Sequence, residues 1–132
     1  MAKRCTRLNN KGRNFMDIQI NVTQRPWGFY IKFFQEAGVW VKRVEVKPGC
    51  RLSLQKHQRR SEKWNIVRGS GTVFVAGEES PIAAGAVIDV PIGAAHRITN
   101  NGAEPLIFIE VATGELLSED DIERLEDDYS RK

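Results

Sequence analysis

Four side chains suited to holding a metal fall in two gapped motifs of a 132-residue chain. The first runs Gly49, five residues, Gln55, one residue, His57, four residues, Glu62, six residues, Gly69. The second runs Gly85, five residues, Pro91, one residue, Gly93, two residues, His96, three residues, Asn100. The chain has 2 histidines, and each motif takes one. Gln55, His57, Glu62 and His96 supply nitrogen and oxygen donors and no thiolate. Such a set suits one borderline divalent ion, and donor softness does not separate the candidates; zinc is the expected ion, with manganese, iron, cobalt or nickel compatible. Taken singly, a Gln-x-His pair means little, and glycines mark turns. The weight lies in two long patterns agreeing at once.

These donors need elements to bring them together. Gln55 and His57 are two apart, so on a strand they share one face. Glu62 follows the Gln58–Ser61 turn and belongs to the next strand. His96 comes from a distant part of the chain, which calls for a rolled sheet. The chain after residue 16 supplies one, as a succession of short strands. Ile18, Ile20 and Val22 alternate, followed by Trp27–Phe34, Val39–Val46, Arg51–His57, Trp64–Val67, Thr72–Val75, Val87–Val90 and Leu106–Val111. Pro48-Gly49, Gly77–Ser80, Pro91-Ile92-Gly93 and Asn101-Gly102 punctuate them, and Gly69-Ser70-Gly71 reads as a hairpin turn. The pattern predicts an all-β sandwich or barrel. Ser118, followed by Glu119, Asp120 and Asp121, has the chemistry of a helix start. It predicts a short C-terminal helix that lays Ile122 and Leu125 on the barrel.

Length predicts a single domain over residues 17–132, behind a basic arm at 1–16. The net charge of +3 is uneven. Lys3, Arg4, Arg7, Lys11 and Arg13 put five positive charges and no acid in the first fourteen residues, leaving the remainder two negative. The arm reads as a flexible terminus, without the further features of a nucleic-acid site. No apolar run is long enough to span a membrane, and no signal peptide is expected. Cys5 and Cys50 do not form a disulfide framework, so a reducing, cytoplasmic setting is expected.

The two motifs resemble those of a cupin, with Gln55 in place of the first histidine of the usual pair. The resemblance narrows the fold to a double-stranded β-helix, or jelly roll. It then becomes more specific. Arg25-Pro26-Trp27-Gly28, Leu52-Ser53-Leu54-Gln55-Lys56-His57, Arg60-Ser61-Glu62-Lys63-Trp64, Pro91-Ile92-Gly93-Ala94-Ala95-His96-Arg97, Ile109-Glu110-Val111 and Glu119-Asp120-Asp121-Ile122-Glu123-Arg124 look like the type II mannose-6-phosphate isomerase cupin, over about residues 25–131. The resemblance implies interconversion of mannose 6-phosphate and fructose 6-phosphate through an enediol. That family is often fused to a mannose-1-phosphate guanylyltransferase. No glycine-rich phosphate loop precedes the cupin here, so sugar-nucleotide synthesis is not expected of this chain.

Isomerisation needs a base, stabilisation of an enediolate and a hold on the phosphate. Glu110 is the candidate base. Alternation groups it with Leu106 and Phe108, where apolar neighbours would raise its pKa; the alternative is a solvent-facing carboxylate. Arg124 fits the enediolate or the phosphate, or else a solvated ion pair. Lys42, Arg51, Ser53 and Arg60 are candidate substrate contacts. Lys42 and Arg43 must face opposite sides of their strand, and Trp64 is either a wall of the pocket or a packed core residue. The expected partners are a small-molecule sugar phosphate and a second copy of the chain, paired through an edge strand near Ile18–Val22. No nucleic acid or membrane partner is expected. Two other functions fit the motifs. One is a cupin acting on a different small molecule, including oxygen chemistry at a 2-His-1-carboxylate metal. The other is a sugar-phosphate-binding cupin without catalysis.

Overall fold

The computed structural model describes residues 21–131. The basic arm and the Ile18 and Ile20 positions lie outside them. Eleven strands run in chain order: β1 Val22–Arg25, β2 Gly28–Glu36, β3 Val39–Val46, β4 Leu54–Lys56, β5 Arg60–Arg68, β6 Ser70–Val75, β7 Glu78–Ala83, β8 Val87–Val90, β9 His96–Thr99, β10 Leu106–Gly114 and β11 Glu123–Glu126. They form two antiparallel sheets, β1-β2-β3-β10-β5-β8 and β11-β4-β9-β6-β7. The arrangement is the double-stranded β-helix. No helix among the described residues is long and apolar enough to cross a membrane.

Period-two alternation builds the interior. In β3, Trp40, Lys42, Val44 and Val46 are buried and the residues between them are not. In β10, Leu106, Phe108, Glu110 and Ala112 face inward. Trp27, Tyr30, Trp64, Ile66, Ile98 and Phe108 lead the core between the sheets. At about 25 cal/mol per Å² of apolar surface, this core is the main stabilising term. It closes one end of the roll and leaves the other end to polar side chains.

Gly69 does not make a hairpin. β5 and β6 belong to different sheets, and Gly69 is the corner where the chain changes sheet. Its φ is +86°, and a Cβ there would lie 2.5 Å from the Pro105 carbonyl oxygen. Only glycine combines that backbone with that approach. The Gly77–Ser80 turn is also displaced, since β7 begins at Glu78. Asn100, the last residue of the second motif, is fully buried and structural. Its amide donates to Val46 O (2.9 Å) and Glu104 O (2.8 Å), and its oxygen accepts from Gly102 N (3.0 Å).

The C-terminal helix does not form. The Ser118 hydroxyl accepts from Asp120 N (3.1 Å), and Asp121 N donates to Ser118 O (3.1 Å), so the start signal makes a turn. Two contacts stop it propagating. The Asp121 carboxylate accepts from Gln58 N (2.9 Å) and Arg59 N (3.0 Å), and β11 pairs with β4, Arg124 opposite Gln55. A short acidic stretch cannot offset helix nucleation when an open strand edge offers it a ladder.

Candidate functional site

The two motifs meet on the inside of the roll. β4 carries Gln55, whose register partner on β9 is His96. Cross-strand partners point to the same face, so the two side chains are neighbours. His57 follows β4, and Glu62 lies near the start of β5. The 91–95 loop delivers His96. Gly93, at φ +77°, donates its N–H to His57 O (2.7 Å), tying the two motifs together at the backbone.

His57, Glu62 and His96 form a buried cluster whose ligand atoms all lie within 4.8 Å of one another. Both imidazoles are oriented by backbone carbonyls: His57 Nδ1 lies 2.7 Å from Asp121 O, and His96 Nδ1 lies 3.0 Å from Ala94 O. A carbonyl can only accept, so each Nδ1 is the protonated donor in the neutral ring and each Nε2 keeps its lone pair. The His96 Nε2 is buried with no hydrogen-bond partner. The His57 Nε2 lies 3.1 Å from Glu62 Oε2, and the Arg60 guanidinium reaches both, with Nη2 3.3 Å from His57 Nε2 and Nε donating to Glu62 Oε2. An unpartnered buried nitrogen, two oriented rings and a buried carboxylate fit a divalent metal. Gln55 stands on the same face, opposite His96. Its Oε1 accepts from the Ser53 hydroxyl at 3.2 Å.

A further layer of contacts fixes the carboxylates. Trp64 Nε1 donates to Glu62 Oε1 (3.0 Å), and Arg60 Nε donates to Glu62 Oε2 (2.9 Å). Glu110 accepts from Trp40 Nε1 (3.0 Å). In register, Glu110 stands between Lys42 on β3 and Trp64 on β5. Burial would push Glu62 up, but the His57 contacts, the hydrogen bond with Glu110 and the Arg60 charge hold it well below the usual carboxylate range. Burial pushes Glu110 the other way, to about 8, and the neighbouring Glu62 charge adds to the rise. Burial also lowers His96, which favours the neutral ring a metal requires.

One cavity joins these groups. Ser53, Gln55, Arg60, Glu62, Trp64 and Glu110 line it on the side of the cluster, and Lys42, Glu119, Arg25, Arg124 and Arg131 line the rest. The inward reading of Glu110 is the one observed, and of Lys42 and Arg43 it is Lys42 that points in. Lys42 is not a free cation, because its Nζ pairs with Glu119 and lies 4.1 Å from the Tyr30 ring centroid. Arg60 does not sit loose on a turn. It is buried, donates to Ser118 O (2.8 Å) and lies 4.7 Å from the Trp40 ring centroid. Trp64 fills both of its expected roles, as core and as cavity wall.

Arg51 is not at the site. Its guanidinium makes two bonds to Asp128 (2.7 and 2.8 Å) and faces a separate groove with Thr72, Phe74 and Arg97. The expectation assumed one continuous strand over Arg51–His57, but β4 spans only Leu54–Lys56, and Arg51 makes an isolated bridge to Thr99. The alternation therefore does not carry through. Sequence reasoning also missed Trp40, Glu119 and Asp121. Trp40 was findable, being two before Lys42 on an alternating strand. Asp121 reaches His57 through its backbone carbonyl, which leaves no sequence signal.

A β-roll with a buried His/Glu/His cluster at its open end is a cupin with a metal-capable centre. Within that class the chain is more closely placed. The family model described as mannose-6-phosphate isomerase C-terminal matches residues 11–127, and the chain belongs to that family. The alginate biosynthesis protein AlgA of Pseudomonas aeruginosa is 44% identical over 124 residues, covering 94% of this chain and 26% of that protein. The mannose-1-phosphate guanylyltransferase ManC of Salmonella typhimurium is 43% identical over 107 residues, covering 81% of this chain and 22% of that protein. The chain thus spans about a quarter of the length of these curated relatives. Among solved structures, a Klebsiella pneumoniae protein with a double-stranded β-helix domain matches with a TM-score of 0.68 at 18% identity, over 79% of this chain and 89% of that one, which bears on the fold alone.

Proposed function

We propose that this chain is a metal-dependent aldose–ketose isomerase that interconverts mannose 6-phosphate and fructose 6-phosphate. The observation that carries the reading is Glu110, a buried carboxyl raised to about 8, set against a metal-capable cluster in a polar cavity. Family membership supports the substrate class.

Gln55, His57, Glu62 and His96 would hold the ion, with zinc taken as the first to test and manganese, iron, cobalt or nickel equally compatible with the donors. When bound, the ion supplies Lewis-acid stabilisation of the charge that develops on the sugar oxygens. The protein's own residues do the rest. Glu110, as carboxylate, takes the proton from C2 of the open-chain aldose, and the C–H electron pair becomes the C1–C2 double bond of an enediolate. The same carboxyl returns the proton to C1, the O2 proton passes to O1, and the ketose results with a C2 carbonyl and a C1 hydroxyl. Trp40 Nε1 fixes Glu110 through Oε2. Trp64 and Arg60 keep Glu62 ionised and aimed at the ion. Ser53 orients Gln55. The core tryptophans keep bulk water from the enediolate.

The test is proton exchange. In D2O, the metal-loaded protein should wash the C2 hydrogen out of mannose 6-phosphate, seen by NMR. The Glu110→Gln variant should not, at equal metal content. Exchange retained in the variant contradicts the role of Glu110.

A homodimer is part of the same proposal. β1 is an edge strand of the six-stranded sheet, which supports pairing near Val22. Light scattering of a dilute solution decides it, and a monomer removes the idea.

A further inference from the structure

Segment 118–126 lies against the metal-capable cluster, and one of its residues holds a ligand by both ring and backbone. We propose that Asp121 is a positioning residue that couples occupation of the cluster to docking of this segment, so that a bound divalent ion and the docked segment stabilise each other. The coupling rests on the cluster as a metal site and not on the isomerase reading.

Asp121 grips the first motif at three points. Its carbonyl oxygen lies 2.7 Å from His57 Nδ1. Its carboxylate accepts from the N–H groups of the next two residues, Gln58 (2.9 Å) and Arg59 (3.0 Å). The side chain therefore fixes the backbone beside the ligand, and the main chain fixes the ring. Turn contacts set that main chain: Asp121 N donates to Ser118 O (3.1 Å), and Ile122 N donates to Asp120 O (2.9 Å). Arg60 adds a second tie, donating through Nη1 to Ser118 O (2.8 Å) while its Nη2 lies 3.3 Å from His57 Nε2.

The segment has no apolar anchor of its own. No residue from 115 to 131 is fully buried. β11 is an edge strand paired with β4, and its register slips between Arg124 and Glu126. What else holds the segment at the cavity is polar, including the Glu119 pairs with Lys32 and Lys42. A stretch with few buried apolar contacts and a solvent-facing ladder opens at low cost in free energy. The Asp121 contacts are then a large share of what keeps it docked. Undocking would also remove the acceptor that fixes the His57 tautomer.

The coupling has a physical source. With Nδ1–H donated to Asp121, the lone pair of His57 sits on Nε2, beside Glu62. A cation on Nε2 draws charge from the ring and makes Nδ1–H a stronger donor, and the carbonyl in turn raises the basicity of the ring toward the cation. The hydrogen bond is thus stronger in the loaded state than in the empty one, which is the differential free energy that coupling requires. Linkage makes the effect reciprocal. The cavity side chains that the segment carries, Glu119, Ile122 and Arg124, are therefore best held when the ion is present.

The experiment is amide hydrogen exchange read by mass spectrometry, on the full chain stripped of metal and reloaded with zinc, together with zinc affinity by chelator competition. Both are measured in the parent, Asp121→Ala and Asp121→Asn, and thermal unfolding verifies that each variant is folded. In the parent, zinc should slow exchange over 119–126 by about 10-fold, while β7, the opposite edge of the same sheet, should not respond. Asp121→Ala should bind zinc about 10- to 100-fold more weakly, and at saturating zinc its segment should exchange at nearly the metal-free rate. Asp121→Asn, whose amide oxygen can accept from one of the two N–H groups, should fall between. A merely structural Asp121 would raise exchange equally with and without zinc, and that result overturns the proposal. So does unchanged zinc affinity in folded Asp121→Ala, a parent segment that exchanges at one rate with and without zinc, or a parent that binds no zinc. Should Asp121→Ala not fold, the parent and Asp121→Asn decide by the same criteria. Neither readout needs turnover. An inactive protein that shows both effects upholds the coupling and fails the isomerase, and an active protein whose segment ignores zinc does the reverse.

Discussion

Glu62 and Glu110 lie side by side in the cavity wall, hydrogen-bonded to each other, and their surroundings sort them in opposite directions. Glu62 faces His57 and Arg60 and stays ionised. Glu110 has Trp40 behind it and the Glu62 charge beside it, and is raised to about 8. Two carboxyl groups whose values are driven apart take different tasks, one as a ligand and one as a proton carrier.

Replacing Glu110 with glutamine should remove the proton carrier and keep the shape. Glutamine can accept from Trp40 and donate to Glu62, as protonated glutamate does. Turnover should fall about 10²- to 10⁴-fold, with metal content by elemental analysis unchanged. A loss of metal in this variant would instead make Glu110 part of the ligand set.

The same substitution should change how stability depends on pH in the metal-free protein. Folded Glu110 keeps its proton up to about pH 8, against 4.5 for the free side chain. Between those values the folded state binds more protons than the unfolded one, so stability falls as pH rises through that window and the contribution is gone above it. Glu62 acts oppositely, because its lowered value costs stability as pH falls below 4.5. Unfolding free energies from urea titrations should be lower at pH 8.5 than at pH 5.5 in the parent, by a few kcal/mol at most. In Glu110→Gln most of that drop should vanish. An equal drop in both proteins would show that Glu110 is not the buried acid described.

Trp64→Phe keeps the ring and removes the one N–H that reaches Glu62 Oε1. Groups that orient metal ligands typically carry 10- to 100-fold in affinity or activity. Zinc affinity by competition with a chelator should weaken by about that factor, in protein that thermal unfolding shows to be folded, since the smaller ring also costs core packing. An unchanged affinity would make Trp64 a packing residue alone.

Asn100→Ala should destabilise the fold without touching the cavity. It strands the Val46 and Glu104 carbonyls and the Gly102 N–H in a buried place. The expected cost is about 2–4 kcal/mol in denaturant unfolding. Metal affinity at low temperature should match the parent.

The strands were legible where alternation was long. β3 has the predicted bounds, and β10 groups Glu110 with Leu106 and Phe108 as alternation predicts, on the inward of the two sides left open. The metal-capable residues were legible because their spacing encodes a shared strand face and one return of the chain. Three things were not legible. The Ser118 start signal is a local propensity, and the open edge of β4 overrode it. Arg51 was placed by an alternation that breaks before Leu54. Gly69 carries the composition of a hairpin turn, but sheet exchange and hairpins both need a left-handed glycine, and only the register of the distant β10 separates them.

The measurement that tests the central claim most directly is a coupled assay for fructose 6-phosphate formed from mannose 6-phosphate. It uses the full chain stripped of metal and reloaded with zinc, manganese, cobalt or nickel, alongside His57→Ala. The account predicts turnover that appears on reloading, is absent from the stripped protein and is lost in His57→Ala. Folded, metal-loaded protein that forms no fructose 6-phosphate with any of these ions would contradict it.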